Sequence, residues 1–153
     1  MEQDAIIQYV VDTFAGVEVA RPTDGPGAGD TFFIYDPERN LEPQRQIPFA
    51  TIVTKDYGDF DNLSKLNRPG VFRLNIGVSR DTFRALFPAP LDANGGDTAV
   101  YDFAALDQLM PHPVYAPQSW VCVLNPGPET FERLKPLLAE AYSIVASRHA
   151  RRA

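Results

Sequence analysis

One cysteine, two histidines, two methionines and one tryptophan are all that 153 residues offer of those types. The lone thiol, Cys122, cannot form an internal disulfide, which fits a reducing compartment. No spaced Cys/His cluster signals zinc, and no motif asks for a cofactor. Long apolar runs are missing as well. None approaches the roughly 20 residues of a membrane helix. The N-terminus "MEQDAIIQYVV" carries acids where a signal peptide needs bases. The expectation is a soluble, cytoplasmic protein with no membrane partner. Bases are scarce too: 14 Lys and Arg stand against 20 Asp and Glu, a net charge of −6. That balance argues against wholesale nucleic-acid binding.

What is present suffices for a folded core. A hydrophobic share of 44% and a charged share of 22% are ordinary for a globular chain. At this length one domain is expected, burying roughly 68–70% of the unfolded surface. The charge is unevenly spread. Residues 1–61 hold twelve acids and four bases, whereas residues 62–87 hold five bases (Lys65, Arg68, Arg73, Arg80, Arg84) and one acid, Asp81. A basic segment on an acidic chain either holds an anion or pairs with its own acidic half.

Ile6, Ile7, Val10, Val11 and Phe14 fall at helical spacing over 3–14, and Gly16 ends that helix. "VEVARP" and "TFFIYD" read as the strands of a hairpin, joined by the glycine-rich "TDGPGAGD". That loop lacks the Lys-Ser/Thr ending and the strand–turn–helix context of a phosphate loop, so a hairpin connection is the better reading. "PERNLEPQRQIP" is a surface loop and "FATIVTKD" a third strand. In residues 57–70, Phe60, Leu63 and Leu66 could line one face of a helical turn. "VFRLNIG" is a strand with Phe72, Leu74 and Ile76 on one face and Val71, Arg73 and Asn75 on the other. Ser79 can cap a helix over 80–87. Residues 88–100 read as a flexible loop, 101–110 as a short helix, and 111–119 as a rigid connection. "WVCVL" is apolar on both faces, as in a strand covered on both sides. A helix follows with the stripe Leu134, Leu137, Leu138, Ala141, Tyr142 and Val145; Pro136 should kink it or mark where its regular part begins. The sum is a single α+β domain: a mostly antiparallel sheet of about five strands with helices packed on it. Phe72, Leu74, Ile76, Trp120, Cys122 and the last helix are expected to share one core.

Two constellations could carry function. Arg73 and Asn75 share a strand face, and Arg80 and Arg84, four apart, share a helix face just beyond the Ser79 cap. Guanidinium groups beside a helix start suit a small anion. With His112 and Tyr115 from the proline-stiffened "MPHPVYAPQSW", they form the candidate ligand-binding set of a non-enzymatic module for a small anionic ligand or a protein partner. The other constellation is enzymatic. In "GDFDN", Asp59 and Asp61 would face the same way if the segment were extended, and with His112 they could form an acid–base pocket. The bland reading of the first set is that Arg73 pairs with Asp59 or Asp61 as a structural clamp. Composition and spacing do not decide whether the chain is an enzyme.

The stretches "DFDNLSKLNRPGVFRLNIGVSRDTFRALF" and "LMPHPVYAPQSWVCVLNPG" resemble a bacterial family of single-domain proteins of unknown function, over nearly the whole chain. That resemblance implies no activity and carries over no catalytic residue. More distantly, "HPVYAPQSWVCVLNPGPETFERLKPLLAEAYSIVASR" is similar to the C-terminal part of the MmcQ/YjbR-like proteins, with Trp120 at the tryptophan that leads a strand there and Ala141-Tyr142 where those proteins carry a Ser-Tyr pair. It implies an α+β, double-wing fold with proposed DNA binding. The acidic balance and the segment 57–70 depart from that pattern.

Overall fold

The two-residue period of the strands sends successive side chains to opposite sides, which gives the sheet two unlike faces. The computed structural model describes residues 1–88 and 101–152, so the loop expected at 88–100 lies, beyond Pro88, outside the described residues. The strands are β1 (Val17–Ala20), β2 (Thr31–Tyr35), β3 (Ala50–Val53), β4 (Arg73–Gly77), β5 (Met110–Pro111) and β6 (Trp120–Leu124). They form one antiparallel sheet in the order β1-β2-β3-β4-β6-β5. The helices are α1 (Gln3–Thr13), α2 (Arg80–Leu86) and α3 (Pro128–Arg152). This is the expected α+β domain, with one strand more than the sequence suggested. The addition is the two-residue β5, whose proline sits on a sheet edge, where a missing donor costs least.

Register decides which residues share a face. Leu74 stands opposite Ile52 and Val123, and Ile76 opposite Ala50 and Val121. These residues form the main core with Ile6 and Val10 of α1, Phe83 of α2, and Phe131, Leu134, Leu138 and Ala141 of α3. All three helices thus cover one face. On the other face Arg73 stands opposite Val53 and Leu124, and Asn75 opposite Thr51 and Cys122. There Val53, Cys122 and Leu124 pack with Leu66, Phe103 and Met110, contributed by the segments that cover this side. Cys122 therefore does not share the helix-side core expected for it, and Trp120 is only half-buried. A strand apolar on both faces gives no sign of which face is which; its neighbour's register does.

Three local readings need correction. Residues 101–109 form a turn and an irregular segment that leads into β5, not a helix. Asp102 accepts from the Ala104 N–H at 3.0 Å and Asp107, with φ of 60°, accepts from the Gly127 N–H at 2.8 Å. Such side-chain bonds compete with helix formation. In 57–70, Gly58, Lys65 and Gly70 take positive φ, which breaks any helical turn; Leu66 is buried while Phe60 and Leu63 are exposed. Finally, α3 runs unbroken from Pro128 to Arg152, so Pro136 does not mark its beginning. Pro136 is on the exposed side, where the Glu132 carbonyl that loses its donor can turn to water.

Candidate functional site

An arginine on a strand face that closes over apolar side chains must find partners for its charge and its five N–H groups. Arg73 is 1% exposed. Its Nε donates to Asn75 Oδ1 at 2.8 Å. Nη1 donates to Asp61 Oδ1 at 3.0 Å and to Ser64 Oγ at 2.9 Å. Nη2 donates to Asp61 Oδ2 at 2.6 Å and faces His112 Nε2 at 3.2 Å. Asn75 in turn donates to Thr51 Oγ1 at 2.9 Å. The Arg73–Asp61 pair is bidentate and buried, the geometry in which guanidinium and carboxylate match best.

The loop that supplies Asp61 closes on itself. Tyr57 N–H donates to the Asp61 carbonyl at 2.9 Å, and the turn passes through Gly58 at a φ of 55°. The segment is therefore not extended. Asp61 points inward, and Asp59 sits exposed at the turn, outside the cleft. Tyr57 is tied down by its hydroxyl, which donates to the fully buried Asp30; burial and the Asp30 carboxylate push the Tyr57 phenol well above its usual range. Asp30 also accepts from the Thr54 N–H at 2.8 Å and from Lys55 Nζ at 3.1 Å. A fully paired Asp30 thus anchors the base of this loop.

His112 is 3% exposed. The Val114 and Tyr115 N–H groups donate to its Nδ1 at 3.0 and 2.9 Å, so the proton of the neutral ring belongs at Nε2, beside Arg73. Burial first, then the Arg73 charge, push its pKa down to about 3, against the opposing pull of Asp61. The imidazole is neutral throughout the physiological range. Burial likewise pushes the Cys122 thiol up to about 12, leaving no thiolate for nucleophilic chemistry.

Arg73, Asp61, Asn75, His112 and Thr51 floor a cleft of about 600 Å³. Its walls are Phe32, Tyr57, Phe60, Tyr115 and Trp120, with the prolines Pro26 and Pro48 at the rim. Phe60 and Tyr115 are 64% and 43% exposed, their rings 6.1 Å apart, and the Tyr115 ring lies 5.0 Å from that of His112. Among the described residues no group of three His, Cys, Asp or Glu side chains could hold a metal.

The whole chain, residues 1–153, matches the family model DUF6194, described as a family of unknown function. The protein belongs to the DUF6194 family. No curated protein and no solved structure matches it. In this DUF6194 chain the sequence-derived set divides. Arg73, Asn75, His112 and Tyr115 line the cleft together with Asp61. Arg80 does not join them; it lines a second cleft. Arg84 is exposed on α2 and lines neither. Nor is the start of α2 open to an anion. The Ser79 hydroxyl accepts from the Thr82 N–H at 3.1 Å, and Glu140 of α3 accepts from the Ser79 N–H and the Thr82 hydroxyl at 2.6 Å each. Ser64 and Thr51 were not singled out by the sequence. Thr51 could have been, since "FATIVT" alternates and puts it on one face with Val53, but Ser64 sits in a turn with no periodicity to read.

Proposed function

We propose that this protein is a binding module for a small, largely apolar molecule that presents one hydrogen-bond acceptor to the floor of the Arg73 cleft. The observation that carries this reading is the cleft's construction: aromatic walls over a rigid polar floor whose charges cancel. Pockets of a few hundred Å³ with apolar walls and few fixed polar groups suit small molecules. The Arg73 charge is already met by Asp61, so this floor favours a neutral or singly charged ligand over a polyanion. An acceptor entering here would face both the His112 Nε2 proton and the Arg73 edge.

The enzymatic alternative has less support. General acid–base catalysis favours a group that titrates near working pH. His112 is held neutral with Nδ1 already accepting two backbone N–H bonds, Asp61 is committed to Arg73, and Asp59 is exposed outside the cleft. The similarity to MmcQ/YjbR-like proteins would point to DNA, but a net charge of −6 weighs against it.

Trp120 is the one tryptophan of the chain and lines the cleft, so its fluorescence reports occupancy. Screening small aromatic and aliphatic compounds should yield saturable changes in that signal. Phe60→Ala and Tyr115→Ala should weaken a hit by roughly tenfold each, about 1.4 kcal/mol. If no hit is weakened by either variant, the ligands lie elsewhere and the reading sinks.

A further inference from the structure

A second cleft, of about 530 Å³, opens where the end of β4 meets the C-terminal half of α3. Its charged lining is Arg45, Arg80 and Arg148, with His149 beside them; neither Asp nor Glu lines it. That is a pronounced local excess on a chain of net charge −6. Three exposed guanidinium groups come from the 41–48 segment, the start of α2 and the end of α3, positions far apart in sequence and brought together only by the fold. Among the described residues none of the three makes a salt bridge. The nearby acid Glu140 is committed to Ser79 and Thr82.

The interior of this cleft is different in kind. Tyr35, Phe49, Trp120, Ile144 and Val145 supply apolar surface, and Ser79, Gln118 and Ser119 supply hydrogen-bonding groups. A concavity lined by charge of one sign concentrates the opposite ion. Guanidinium groups match the paired oxygens of phosphate and carboxylate. Gly77 shapes the interior: a Cβ there would come within 3.0 Å of the Trp120 ring, so glycine lets the indole lie flat against β4.

We propose that this basic cleft binds a small organic oxyanion, an apolar or aromatic body carrying a phosphate or carboxylate group. The body rests on Trp120 and Val145, and the anionic end meets Arg80 and Arg148. This site is independent of the Arg73 cleft, although Ile47, Pro48, Gln118 and Trp120 border both.

Calorimetric titration of the full chain with phenyl phosphate, benzoate and benzyl alcohol tests it. Phenyl phosphate, benzoate or both should bind, the stronger of the two identifying the preferred oxyanion, and benzyl alcohol should bind at least roughly tenfold more weakly. Arg148→Gln and Arg80→Gln, separately, should each weaken the anion by roughly fivefold or more, with the far-ultraviolet circular dichroism unchanged. Phe60→Ser, in the other cleft, should leave the anion's affinity as it is. Equal binding of benzyl alcohol, no binding of either anion, or loss of affinity in Phe60→Ser but not in the arginine variants would overturn the proposal. Since the first two outcomes leave the Phe60 and Tyr115 experiment untouched, this site and the Arg73 cleft stand or fall separately.

Discussion

Arg73 shows how one side chain can be both charge and scaffold. Its partners span three segments: Asp61 and Ser64 from the covering loop, Asn75 from its own strand, and His112 from the approach to β6. Replacing it with methionine leaves the Asp61 carboxylate buried and unpaired, which should cost about 3–5 kcal/mol in denaturant unfolding. Arg73→Met combined with Asp61→Leu should recover much of that loss, because two apolar groups need no partners. Arg84→Gln, on an exposed position, should stay within about 0.5 kcal/mol of wild type. A harmless Arg73→Met would mean that the carboxylate is not held by the pair. His112 gives a pH signature. Its folded pKa, about 3, lies below the 6.5 of the unfolded chain. Between these values the unfolded state binds the proton and the folded state does not, so stability is full above about 6.5 and falls as pH drops toward 3. His112→Gln should flatten this part of the stability profile relative to wild type, by at most about 5 kcal/mol over the window. Parallel profiles for the two proteins would exclude a buried neutral imidazole.

Among the elements, α3 carries an internal proline that the fold tolerates because of where it points. Pro136 is exposed, while Leu134, Leu137 and Leu138 around it are buried. Pro136→Ala restores an N–H to the Glu132 carbonyl and removes the ring. Helix propensity favours alanine by about 3 kcal/mol, and part of that is offset by the greater freedom alanine gives the unfolded chain. A net gain of about 1–2 kcal/mol is expected, seen as a higher Tm. A lower Tm would mean that the proline ring itself packs. Trp120 at the start of β6 poses the opposite case: it is half-buried because it walls both clefts, so it serves them more than the core.

Across the whole molecule the charge pattern resolves into local pairings. The acidic N-terminal half supplies Asp30 and Asp61, each of which meets a cation on the clefted face, Lys55 and Arg73. Of the five bases in 62–87, Arg73 is consumed internally, and Arg68 donates to the carbonyls of Ser64, Lys65 and Ala104. Too few arginines then remain on one surface to neutralise more than a few phosphates. Random duplex DNA should therefore not bind at physiological salt, as read by fluorescence anisotropy. Submicromolar binding under those conditions would revive the double-wing reading. No helix among the described residues is long and apolar enough to cross a membrane.

The sequence by itself determined the elements whose signals are local. The period of α1, the hairpin of β1 and β2, the two-faced alternation of β4, the Ser79 cap and the pairing of Arg73 with an aspartate of "GDFDN" could all be read within a dozen residues or so. Where local signals conflict or vanish, the fold decided. The side-chain bonds of Asp102 and Asp107 defeated the helix expected at 101–110, and the partner of Asp107, Gly127, is remote in the chain. A one-residue choice of register set Cys122 and Trp120 on the face opposite the helices, and a strand apolar on both faces holds no information about that choice. The tertiary fold also put His112 beside Arg73 and gathered Arg45, Arg80 and Arg148 around one mouth. Such juxtapositions depend on pairings across scores of residues, and only the closed sheet brings those residues within reach of one another.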